Sequence, residues 1–376
     1  MKLADDRVRS EVFSSLEKGT LPQSILFTGP RYSGRLSTAL DLCYRIAGKE
    51  GRNLLEPMDI IYFPARDMSL EVRSEYNILC ERLCDRQRNN FISKVRLTLM
   101  QYHPSLQKDA GSKGKFFEQA GNIGEQIYQL LETPTDNKKE FLKLAGKIAE
   151  DAARPDFAFK GKKKGGISVD EVRAVQNFVS LGEEEKFVII ENIEDSMEAS
   201  KNALLKILEE PPKGAHFILI SENPQRIMQT ILSRVRRFTF PSVGNDKLNE
   251  CLMEWYQEFS KHASFKEFIY EMSVPDEERE KVRDASSRFY DYLKSGRVPE
   301  APVLNEIFAP LDRGRDYFIS LLTERIEEGW KTKAVTARRA QKLNALIKEA
   351  VLSSDVYNQN LKNALDLALR EASRVD

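Results

Sequence analysis

The chain has 376 residues, 41% hydrophobic and 31% charged, which is too long for one ordinary domain and excludes a disordered or collagen-like polymer. Lysine plus arginine and aspartate plus glutamate each number 58, so the formal charge is zero and any nucleic-acid surface has to be local. No apolar run approaches the roughly 18 residues of a membrane span, which argues against a membrane protein.

The first residues, "MKLADDRVRSEVFSSL", scatter charge without an apolar h-region, so no secretory signal is expected and a cytoplasmic location follows. The first predicted strand, "SILFTG", is continuous rather than alternating, as a strand buried on both faces should be. It runs into "GPRYSGRLST". Four residues separate Gly29 from Gly34, with Pro30 after the first, in the frame of a phosphate-binding loop, G-x-x-x-x-G-K-[ST]. Arg35 occupies the lysine position and Leu36 the hydroxyl position. A guanidinium is a planar fork and no substitute for a compact ammonium, and leucine cannot ligand a metal. Ser37 and Thr38 follow, but one helical position turns a side chain by about 100° away from where a metal would need it. The same residues also suit a plain strand-to-helix turn, in which glycine relieves strain and nothing binds.

Between "DIIYFPARD" and "GISVDEVR" lie about ninety residues, too many for a compact βαβ link. Residues 67–165 are expected to form a helical insertion, broken at "HPSLQKDAGSKGK" and "TPTDN". Cys80 and Cys84 stand near its start. With Cys43 and Cys251 they are the only cysteines, and His103, His216 and His262 the only histidines, so no metal site is expected. The insertion ends in "FKGKKKGG", where Lys160, Lys162, Lys163 and Lys164 suit either contact with a phosphate backbone or a solvated loop.

"SVDEVRAVQNFV" predicts a helix whose capping box is Ser168 and Glu171, with Val172, Val175 and Val179 on one face. The second strand, "KFVIIEN", ends in Glu191 and Asn192 where a nucleotide-hydrolysing site carries an aspartate and a glutamate. Asn192 is not basic enough to activate a nucleophile. "ASKNALLKILEEPP" is helical, with Leu204, Leu205 and Leu208 at helical spacing, and stops at Pro211 and Pro212. The third strand, "HFILISEN", brings Ser221 and Asn223 to its end. In an open parallel sheet these strand ends form one rim, where ligands bind. Arg234, Arg236 and Arg237 follow Ser233, and on physical grounds alone suit a solvated basic face. Beyond Val243 only helix and turn are expected, with a boundary in "SGRVPEAPVLNE". Leu361, Leu365 and Ala368 make an apolar stripe, equally a core stripe or a docking face.

The segment "NALLKILEEPPKGAHFILISENPQRIMQTILSRVRRFTFP", residues 202–241, is similar to one shared by the clamp-loader subunits of bacterial DNA polymerase III, an AAA+ family. "LPQSILFTGP", "ISVDEVR" and "YNQNLKNALDLAL" match in order. Within the family the chain most resembles the delta-prime type, whose phosphate loop is often degenerate. It departs from the pattern in lacking a four-cysteine zinc module at "GKEGRNLLEP" and in carrying the helical insertion.

The resemblance implies an AAA+ α/β P-loop domain at 1–243 with the insertion at 67–165, a helical lid at 244–300 and a helical collar at 301–376. It implies a non-hydrolysing stator in a hetero-oligomer with the motor subunits, gamma and tau, and the delta subunit, loading a sliding clamp on primed DNA during replication. Arg234, in the Ser233-Arg234 pair, would reach the γ-phosphate on a neighbouring motor subunit, so that ATP and magnesium act there and no cofactor is expected here. Ser221 and Asn223 fall where the family senses that phosphate, and would be vestigial. Two alternatives stay open: a gamma/tau-type ATPase with an atypical P-loop, and a non-enzymatic helical interaction protein.

Overall fold

The computed structural model describes residues 6–49, 60–107, 114–158, 166–180, 184–357 and 359–374. Lys160, Lys162, Lys163 and Lys164 lie outside them. The chain divides into two units, residues 1–265 and 266–376.

The first unit is built on a parallel sheet of β1 (Ser24–Thr28), β2 (Ile60–Phe63), β3 (Lys186–Glu191), β4 (Ala215–Ser221) and β5 (Arg236–Thr239), in the order β2-β3-β4-β1-β5. The three expected strands are β1, β3 and β4. The other two are edge strands of four residues, too short for periodicity to mark them, and β5 begins with two arginines. Pairing sets β1 between β4 and β5, with Ser24 opposite Phe217 and Ile25 opposite Arg236.

Alternate strand residues feed opposite faces, as the pleat requires. Leu26, Val188, Ile190, Phe217 and Leu219 enter one core, and Ile25, Phe27, Ile189, Ile218 and Ile220 the other. Helices α1 (Asp6–Glu17) and α2 (Arg35–Ile46) contribute Val12, Phe13, Ala39 and Leu42 to the second core. The first core takes in the insertion, which is helical as expected: α3 (Ser69–Glu81), α4 (Asp85–Leu99), α5 (Gly114–Glu132), α6 (Lys138–Ala152) and the short α7 (Pro155–Ala158). Val72, Phe91, Ile127, Phe141 and Ile148 are buried in it, each contributing about 1.5–3 kcal/mol where fully buried. Tyr102 stacks on Phe157 at 4.6 Å and donates its hydroxyl to the Phe157 carbonyl at 2.6 Å, tying the middle of the insertion to its end.

After the insertion, α8 (Val169–Val179) starts on the expected capping box. Ser168 Oγ accepts from the Glu171 N–H at 3.3 Å, and the Glu171 carboxylate accepts from the Ser168 N–H at 2.9 Å. Caps of this kind are worth about 1 kcal/mol. Val172, Val175 and Val179 are buried. Then come α9 (Glu198–Glu209), the single-turn α10 (Gln229–Leu232) and α11 (Asn245–Tyr256).

The second unit holds α12 (Phe265–Met272, all but its first residue), α13 (Asp276–Ser295), α14 (Ala301–Phe308), α15 (Leu311–Lys331), α16 (Ala337–Tyr357) and α17 (Leu361–Ser373). Its core runs from Val274 to Ala372 without a break near 300. Leu361, Leu365 and Ala368 are buried in it, so that stripe serves the unit's own interior. Helix α15 is kinked at Gly314, where an added Cβ would lie 2.5 Å from Val282 Cγ2. Among the described residues no helix is long and apolar enough to cross a membrane.

Candidate functional site

The rim expected from the sequence forms at the carboxyl ends of β1, β3 and β4, and β2 adds to it. Gly29 leaves β1 at φ 142° and packs so close to β5 that a Cβ would sit 2.2 Å from the Phe240 carbonyl oxygen. Its N–H donates to the Ser221 carbonyl at 3.3 Å, tying the loop to the end of β4. Pro30 is exposed and its carbonyl accepts from the Ser33 N–H at 3.3 Å. Gly34, at φ 86°, opens α2 without a side-chain cap. A strand–loop–helix turn with the outline of a phosphate loop is therefore present.

The side chains in that outline have other partners. Arg35 is 6% exposed and its guanidinium lies 3.5 Å from Glu222, just beyond β4. Burial depresses it, and Glu222 and Glu191 offset that only in part, with Arg66 adding to the depression. Leu36 packs against the core of the α2 face. The Ser37 and Thr38 hydroxyls each donate to the Gly34 carbonyl at 2.9 Å, closing the first turn of α2 on itself.

At the end of β3, Glu191 is 7% exposed and accepts from the Ala65 N–H at 3.1 Å. Arg66, which follows β2, lies 3.8 Å from Glu191 and 3.1 Å from Glu71 of α3. Burial alone would lower the Arg66 guanidinium, and the two carboxylates raise it well above its ordinary value. The Tyr62 hydroxyl, buried beside Glu191, is pushed well up, first by burial and then by that negative charge. Asn192 adopts left-handed backbone, φ 50°, and its N–H donates to the Ile220 carbonyl at 2.7 Å. Ser221 donates to Glu194 at 2.7 Å, and the Asn223 N–H donates to Ser221 Oγ at 3.0 Å.

The residues do not fit magnesium-bound ATP. A phosphate loop needs a mobile cation reaching the β- and γ-phosphates, a hydroxyl facing the metal and a carboxylate free to hold it. Here the cation is buried against Glu222, the hydroxyls face their own helix, and the carboxylate of β3 is engaged by Arg66 and Ala65. Sequence reading missed Arg66, Glu71, Glu194 and Glu222. Arg66 had a signal: recognising "IIYF" as a strand would have put "PARD" on the rim.

Ser233 and Arg234 sit elsewhere. They follow α10 and precede β5, so in a parallel sheet they lie beyond its amino edge, opposite the rim. A strand of four or five residues sets these edges roughly 15 Å apart. Arg234 donates to the Thr230 carbonyl at 2.8 Å and pairs with Glu209, the last residue of α9, at 3.1 Å. Its side chain keeps 28% of its exposure. Ser233 Oγ donates to Thr230 at 3.0 Å. Glu209 is a further site residue not singled out from sequence.

A family model described as DNA polymerase III, delta subunit, matches residues 122–244, from within the insertion to just past β5. The delta-prime subunit of DNA polymerase III from Bacillus subtilis (strain 168) is 29% identical over 174 residues, covering 43% of this chain and 51% of that protein. The delta-prime subunit of Haemophilus influenzae is 35% identical over 92 residues, 24% of this chain and 27% of that one. The tau subunit of Bacillus subtilis is 38% identical over 83 residues, 21% of this chain and 15% of that one. The chain thus spans about half the length of the first of these relatives and less of the others. The solved structure of a DNA polymerase III gamma-subunit-related protein from Thermotoga maritima covers 97% of this chain and is wholly covered in turn, at 16% identity and a TM-score of 0.45, too distant to add to the case. The likeness read from residues 202–241 is borne out by the family model and the delta-prime relatives.

Proposed function

We propose, from the chain's similarity to delta-prime-type clamp-loader subunits of DNA polymerase III, that it is a non-hydrolysing stator of such an assembly. It lends Arg234 to a triphosphate held by a neighbouring motor subunit of the gamma/tau kind, and its own rim is closed to nucleotide. The delta subunit, a sliding clamp and primed DNA complete the setting.

The observation that carries this reading is the separation of the two chemistries. The phosphate-loop outline is filled by ion pairs of the chain itself, whereas Arg234 stands at the opposite edge of the sheet, partly exposed. An arginine so placed is out of reach of its own loop, and can serve a phosphate only in another chain. A guanidinium suits that task because it is always charged and grips two oxygens at once. It stabilises the charge that develops on the transferred group, worth about 10³ to 10⁵ in rate for arginine fingers in general. Ser233 holds the turn that presents it.

The test is reconstitution with the motor and delta subunits. DNA-stimulated ATP turnover at the interface that receives Arg234 should fall about a thousandfold in Arg234→Ala, while assembly on gel filtration is unchanged. Unaltered turnover would remove the finger assignment. The similarity to a tau subunit favours one other reading, a motor ATPase with an unusual loop. Micromolar binding of magnesium-ATP by the isolated chain, with turnover, would establish it instead.

A further inference from the structure

The insertion makes one set of contacts that its own core does not need. Helix α11 ends at Tyr256, and the last carbonyls of any helix lack partners within it. Three consecutive ones here are met by side chains from the insertion. Arg86 donates to the Glu254 carbonyl, Gln87 to the Trp255 carbonyl at 3.0 Å, and Arg82 to the Tyr256 carbonyl. Two more contacts flank them. Arg82 pairs with Glu258 at 2.8 Å, and the Tyr256 hydroxyl donates to Glu75 of α3 at 2.7 Å. Glu258, Tyr256, Glu75 and Gln87 are all at most 6% exposed.

These contacts differ in kind from apolar packing, which tolerates sliding and rotation. Turning or shifting α11 by one residue would take three carbonyls from their partners and strand a buried carboxylate and a buried hydroxyl, the last two costly to leave unpaired. Two guanidinium groups at a helix carboxyl end also oppose its dipole. Helix α3 joins this joint to the rim, because Glu71, one turn before Glu75, holds Arg66 against Glu191.

We propose that the helical insertion is a clasp that fixes α11 to the α/β unit, so that the rim, α3 and α11 move as one body. The role does not depend on which assembly the chain joins. It gives the insertion a task within its own chain: it removes the freedom of the short link, residues 240–244, between β5 and α11.

Hydrogen exchange measured by mass spectrometry on the full chain tests it. In the triple variant Arg82→Ala, Arg86→Ala, Gln87→Ala, peptides spanning 245–258 should exchange at least tenfold faster, while those of β3 and β4 keep their wild-type rates. Unaltered exchange of 245–258 in the variant would overturn the clasp, as would equal acceleration in β3 and β4. Should the triple variant fail to fold, Arg82→Ala alone decides on the same comparison.

Discussion

At the scale of single residues, the turn after β1 has the backbone outline of a phosphate loop while its side chains pair within the chain. Gly29 is the backbone's fixed point: a Cβ there would overlap the Phe240 carbonyl oxygen, and φ 142° is closed to other residues. Gly29→Ala should therefore cost at least about 2 kcal/mol, read as a lower midpoint in urea unfolding. Putting the consensus side chains back should achieve little. Arg35→Lys with Leu36→Thr restores a lysine and a hydroxyl but leaves Glu191 bound to Arg66 and Ala65, and leaves Asn192 in place. Calorimetric titration of that double variant should detect no magnesium-ATP binding at 100 μM, roughly the upper part of the usual enzyme range. The sequence showed which loop residues depart from the phosphate-loop pattern, because consensus positions are local. It hid Arg66 and Glu209, which pair with Glu191 and Arg234 in other segments of the chain.

At the scale of elements, the junction of α3 with α11 carries a pH dependence. Burial raises the Glu75 carboxyl above its ordinary 4.5, a shift that Lys94 and the Tyr256 hydroxyl oppose and Glu71 assists. A raised carboxyl favours the fold in its protonated form. Its contribution is fully present below 4.5 and is lost as pH rises through the raised value. Glu258 runs the other way: burial works to raise it, but Arg82 and Ser260 prevail and hold it below 4.5, so its contribution is lost as pH falls through the lowered value. Glu75→Gln keeps an acceptor for Tyr256 and removes the first dependence. Its melting temperature should match wild type near pH 4.5 and exceed it by roughly 2–4 °C at pH 8. Of the elements themselves, α8 with its capping box and the three central strands were legible because their signals are local and repeated. β2 and β5 were not, being four-residue edge strands, and the junction of α3 and α4 with α11 was invisible because its partners are 168 to 181 residues apart.

At the scale of the molecule, residues 266–376 have a core of their own, from Val274 to Ala372, with Phe289, Phe318, Leu322 and Leu365 fully buried. Expressed alone, this segment should show a helical circular dichroism spectrum and a single cooperative thermal transition; a featureless melt would show that it depends on the first unit. A break between sheet and helices was readable from the end of the strands near Val243. That α11 stays with the first unit was not readable, since the α3 and α4 side chains that meet its carboxyl end lie far away in sequence.

The strand order also governs how the polypeptide is made. β1 is flanked by β4 and β5, and about 210 residues separate Thr28 from its partner Thr239. At roughly 5–20 residues per second, a ribosome takes about 10–40 s to deliver that partner. Until β4 emerges, about 190 residues after β1, the newly made "SILFT" segment has neither of its partner strands, and the insertion, encoded between β2 and β3, prolongs the wait. Holding an unpaired apolar strand soluble during translation is a demand this fold places on the cell while the chain is still being made.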